Sequence, residues 1–65
     1  MKVTINKLDY DLRDGATLAD AVKVLQLAPP FAVALNLQFV PKSLYTLTLL
    51  QPGDSVEIIR PVTGG

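Results

Sequence analysis

Neither cysteine nor histidine occurs among the 65 residues. Without cysteine there are no disulfides, thiolate nucleophiles or cysteine-based metal sites to brace or activate so small a chain. That usage fits a reducing compartment, and the expected location is cytoplasmic. Without histidine the commonest general acid and base is missing, so an enzyme in its own right is the least expected class. Charge is sparse and balanced, six Lys and Arg against six Asp and Glu. With no net positive charge and no basic cluster, the electrostatic term that dominates nucleic-acid affinity is absent, and no nucleic-acid partner is expected. The longest apolar stretches, such as Phe31 to Leu35, fall far short of the roughly 20 residues that cross a bilayer. Met1 leads directly into an alternating pattern with no apolar leader. The expectation is a soluble protein with no export signal and no membrane partner.

The apolar share, 49%, argues for a real core and against intrinsic disorder. A chain this short holds one domain and buries only about 60% of the surface its unfolded form exposes, so an economical fold is expected. Met1, Val3 and Ile5 alternate with Lys2, Thr4 and Asn6, the period of a strand with one buried face. Leu8, Tyr10 and Leu12 repeat the pattern, and the Asn6-Lys7 step between the runs suits a tight hairpin that Asp14-Gly15 ends. Thr17 has the character of a helix N-cap, with Asp20 near the positive end of the dipole. Leu18, Ala21, Val22 and Leu25 then form one apolar stripe, with Ala19, Lys23 and Gln26 turned away, until Pro29-Pro30 stops the helix. Phe31 to Asn36 reads as a third strand, which Phe39-Val40-Pro41 extends at an edge. Ser43 to Leu50 follows neither period, and a loop with a short helical turn is expected there. The turn Gln51-Pro52-Gly53-Asp54 leads into a last strand carrying Val56 and Ile58, which Pro61 ends.

The order strand, strand, helix, strand, short connection, strand predicts an α+β chain: a ubiquitin-like β-grasp, with a mixed four- to five-stranded sheet and one main helix packed on one face. If the last strand runs beside the first, residues 1–60 form the domain and residues 61–65 a flexible tail ending in Gly-Gly. Five extended residues reach roughly 16 Å, enough to enter another protein's active site. A glycine pair there also suits a frayed end or a cut linker.

Three stretches carry a resemblance over nearly the whole chain. They are Ala34-Leu35-Asn36 with Phe39-Val40-Pro41-Lys42, Pro52-Gly53-Asp54 leading into Val56-Glu57-Ile58, and Gly64-Gly65. In this order the chain resembles the ThiS family of sulfur carriers in thiamin biosynthesis. It departs at Pro61-Val62-Thr63, where the family more often carries small apolar residues, and at Pro52. The molybdopterin-synthase small-subunit carriers share fold and tail, usually on longer chains.

The resemblance implies a sulfur carrier that is not itself an enzyme. A carboxylate at Gly65 is a poor electrophile at neutral pH. Adenylation makes it a good acyl donor for attack by a persulfide or sulfide, and the product is a thiocarboxylate that gives its sulfur to thiazole formation. Gly65 is then the covalent carrier site, and Gly64, Thr63 and Val62 thread a narrow slot where a Cβ would collide. The implied partners are an adenylating E1-like enzyme, a sulfur donor of desulfurase or rhodanese type, and a thiazole synthase. ATP and Mg²⁺ act in the activating partner, and this chain is expected to bind no cofactor and no metal. Ile59 and Phe39, with Arg60 and Lys42 flanking, are candidate docking residues. Asp9 and Asp11 read as a solvated strand face, and Tyr10 and Tyr45 as packing residues. A noncatalytic interaction module or a ubiquitin-like modifier joined to a lysine amine remains open beside the carrier.

Overall fold

The computed structural model describes residues 1–61. Alternation sets β1 (Lys2–Ile5), whose Val3 and Ile5 are fully buried, and it pairs antiparallel with β2 (Leu8–Asp11). The turn between them has positive φ at both Asn6 and Lys7, the signature of the hairpin turn whose twist matches its strands. The same device, Asn36 and Leu37 both at positive φ, joins β3 (Ala32–Leu35) to β4 (Gln38–Val40). The last strand, β5 (Ser55–Ile59), runs parallel to β1 and antiparallel to β3. The sheet order is therefore β2-β1-β5-β3-β4, a mixed five-stranded β-grasp sheet with β5 at its centre.

Helix α1 (Leu18–Leu25) starts where the sequence places it, on a full capping box. The Asp20 backbone N–H donates to Thr17 Oγ1, and the Thr17 N–H donates to Asp20 Oδ2 at 2.9 Å. That second bond, helped by Arg13 3.1 Å away, holds the Asp20 carboxyl below its usual range. Leu18 and Ala21 are fully buried against Val3, Ile5, Val33, Val56 and Ile58, so the helix covers one face of the sheet. Ala19, expected to face away, is half-buried and packs against this core, because the stripe is wider than four residues.

Two other expectations shift. The alternating pattern puts Leu8 on the buried face, yet it is 62% exposed, since it sits at the hairpin end of an edge strand. The third strand is shorter than Phe31 to Asn36, because Asn36 belongs to the turn. The region without a clear period holds a 3-10 turn, Lys42–Leu47, that buries Tyr45 in the core. Burial pushes the Tyr45 hydroxyl pKa up, in keeping with a packing role. Residues 48–50 then lie against 16–18, through Leu18 N–H to the Thr48 carbonyl and Leu50 N–H to the Ala16 carbonyl. No helix among the described residues is long and apolar enough to cross a membrane.

Candidate functional site

Strand β5 carries the chain toward its last residues, so the end of β5 and the sheet around it frame the candidate site. Alternation along β5 sends Val56 and Ile58 into the core and leaves Ser55, Glu57 and Ile59 on the opposite face. Register fixes their neighbours there. Ile59 lies across from Ala32, and Glu57 from Ala34, which in turn faces Phe39. Phe39, 70% exposed, and Ile59, 56% exposed, thus share the face that α1 does not cover. They sit two strands apart, about 10 Å across the sheet. The half-buried alanines between them leave the surface low, so both large side chains stand proud of it.

Arg60 is exposed and follows Ile59 directly at the end of this face. Lys42 is elsewhere. It begins the 3-10 turn and lines a hollow with Leu27, Pro29, Pro30, Phe31 and Tyr45, on the helix side of the sheet. Pro41 turns the chain off the sheet edge just before it, so the fold brings Ile59, Phe39 and Arg60 to one face and leaves Lys42 apart. Val62, Thr63, Gly64 and Gly65 lie outside the described residues. Asp9 and Asp11 are exposed on β2, with Asp11 in register with Lys2. Among the described residues no three His, Cys, Asp or Glu side chains converge in a way that could hold a metal ion.

Two asparagines matter more than their sequence signal suggests. The Asn6 side-chain oxygen accepts from the Ile58 N–H at 2.8 Å, and the Asn36 side-chain oxygen accepts from the Ser55 N–H at 2.9 Å. Each hairpin turn thus holds one end of β5. Asn36 also donates through Nδ2 to Asp54 Oδ1, tying the β3–β4 turn to the one that launches β5. Asparagine at the first position of a tight turn is legible as a left-handed residue. Its grip on a strand twenty or fifty residues away is not, because that depends on the sheet register.

The comparisons with known proteins agree with this fold. The model of the ThiS family matches residues 3–65. Among solved structures, a thiamine biosynthesis protein (ThiS) from Geobacter metallireducens superposes with a TM-score of 0.81 at 22% identity, covering 100% of both chains. At that identity the likeness speaks for the fold. No curated protein sequence matches the chain.

Proposed function

The chain belongs to the ThiS family, and from that membership we propose that it is a sulfur carrier of thiamin biosynthesis, with the Gly65 carboxyl as the group that carries sulfur. The observation that supports this reading most is that the family match runs through Gly64 and Gly65, a few residues beyond a central strand gripped at both ends. A stiff platform and a side-chain-free end are what delivery into a partner's slot requires.

In the proposed reaction a Gly65 carboxylate oxygen attacks the α-phosphorus of ATP in an E1-like enzyme, and pyrophosphate leaves. A sulfur nucleophile then adds to the acyl carbon, and AMP leaves with the bridging oxygen. Hydrosulfide gives the thiocarboxylate directly. A persulfide of a desulfurase or rhodanese-type donor gives an acyl disulfide, which a second thiol cleaves to thiocarboxylate and disulfide. The thiocarboxylate is then presented to a thiazole synthase. The chain contributes position. Glycine at 64 and 65 has no Cβ to collide with a narrow channel and no nucleophile to attack the activated carbonyl. The open face bearing Phe39 and Ile59 supplies the apolar contact that holds the carrier on its partner enzymes, with Arg60 at its border.

Intact-mass measurement after incubation with the adenylating enzyme, ATP and a sulfur source tests the reading. Exchange of one oxygen for sulfur at Gly65 is expected, whereas amide-linked conjugates would identify a modifier, and an unchanged mass would leave only an interaction module. Gly64→Val should cut that exchange by at least about tenfold, a loss of catalytic positioning, while thermal unfolding stays as in the parent chain. Undiminished exchange in this variant would remove the case for a tight channel.

A further inference from the structure

Strand β5 is paired on both sides for only part of its length. Its register with β3, fixed by the Asn36 N–H to Ser55 carbonyl bond at 2.7 Å, turns Ser55, Glu57 and Ile59 toward β3. The backbone groups of Val56 and Ile58 therefore point the other way, toward β1, and the same alternation carried one residue past the strand turns the Arg60 N–H to that side. There the ladder stops early. The Val56 carbonyl accepts from the Asn6 N–H at 2.8 Å, the Ile58 N–H is taken by the Asn6 side chain, and β1 then turns away into the hairpin. The next two groups on that side are the Ile58 carbonyl and the Arg60 N–H. Among the described residues no bond from outside the strand ladders reaches either one. Ile58 lines a notch of about 300 Å³ together with Asn6, Lys7, Glu57 and Ile59, and Arg60 follows Ile59 directly in the chain.

We propose that this notch is a strand-docking site, in which an extended segment of the adenylating enzyme adds to β5 by donating to the Ile58 carbonyl and accepting from the Arg60 N–H. The inference rests on the carrier reading for its choice of partner. An acceptor and a donor one strand step apart are recognised by another extended backbone, the pairing mode by which sheet edges take up peptides. The occupant follows from position. Any enzyme that receives Gly65 must approach to within about five residues of Arg60, roughly 16 Å, so its channel mouth lies against this stretch of β5. In this arrangement Asn6 has a second purpose. It completes the Ile58 N–H so that β5 stays extended where β1 leaves it, and it ends the intramolecular ladder one step before the partner's begins. Lys7 and Glu57, which both line the notch, add a charge pattern that the incoming segment must match.

Amide hydrogen exchange on the carrier alone and bound to the adenylating enzyme, without ATP, tests the proposal. The Arg60 amide should exchange rapidly in the free protein and be slowed at least about tenfold in the complex. As a second measurement, Arg60→Pro deletes the N–H and Arg60→Ala keeps it. The proline variant should bind the enzyme about tenfold more weakly than the alanine variant, the effect of one lost hydrogen bond with a stranded acceptor. An Arg60 amide already slow in the free chain, one that stays fast in the complex, equal affinities for the two variants, or no complex at all would each overturn it. The outcome is separable from that of the carrier reading. Binding with Arg60 protection but no oxygen-to-sulfur exchange after ATP and sulfur are added would sink the carrier and leave the docking edge standing.

Discussion

The two faces of this sheet are built from the same strands, one residue out of step, and they are opposite in character. On the helix-covered face Val3, Ile5, Val33, Val56 and Ile58 pack with Leu18 and Ala21, none more than 6% exposed. On the open face the same strands present Thr4, Ala32, Ala34, Glu57 and Ile59, with Phe39 at one edge. Apolar area removed from water is what holds so short a chain together, so stability resides in the first set. Ile59 and Phe39 contribute little to folding, and their exposure in a chain with few aromatics is available for contact with another protein. The central strand joins the two roles: its even residues anchor it and its odd residues face outward.

The contrast predicts a separation of effects. Leu18→Ala or Ile5→Ala removes a fully buried side chain from a core with little redundancy, and each should cost about 2–5 kcal/mol in denaturant unfolding. A cost under about 1 kcal/mol would mean that the core collapses around the gap and the distinction between faces is weaker than their burial indicates. Ile59→Asp should do the reverse. Stability should stay within about 0.5 kcal/mol of the parent, while affinity for the adenylating enzyme proposed as its partner falls by about 1–2 kcal/mol, measured by calorimetry on the pair. Unchanged affinity would remove the open face from the docking surface. Thr17→Ala lies between, since it unfastens the start of the helix that covers the inner face, and a loss of about 1 kcal/mol is expected.

The parts of this contrast that local chemistry decides could be read from the sequence. The alternation in β1 and β5, the Thr17 cap and the left-handed turn at Gly53, φ 86°, each follow from a few neighbouring residues. Segment 43–50 could not be read that way. Its leucines divide without period: Leu47 and Leu49 are 75% and 60% exposed, whereas Tyr45 and Leu50 are buried. What sorts them is contact with residues 16–18 and α1, far away in the chain. The same limit applied to the site. Odd positions on β5 placed Ile59 outward, but nothing near Lys42 signals that Pro41 takes it to the helix side. The grips of Asn6 and Asn36 on β5 depend on register between distant strands, and register is set by the whole sheet.

The smallest predicted effect concerns the pH dependence of the inner face's cover. The Asp20 carboxylate accepts the Thr17 N–H and sits beside Arg13, so its folded pKa lies below its unfolded value of about 3.9. A carboxyl depressed in this way stabilises the fold fully above its unfolded pKa, and that contribution is lost as pH falls through the lower, folded value. Asp20→Asn retains an oxygen that can cap Thr17 but carries no charge. The stability gap between parent and variant should therefore be constant from pH 7 to about pH 5 and narrow steadily below about pH 4. A gap that persists unchanged down to pH 3 would show that the capping geometry, and not the charge, is what fastens the helix over the sheet. Ile59→Asp measured in parallel serves as the control: the gap between Ile59→Asp and its own Asp20→Asn derivative should follow the same pH course as the parent's gap, so that the two subtract to zero.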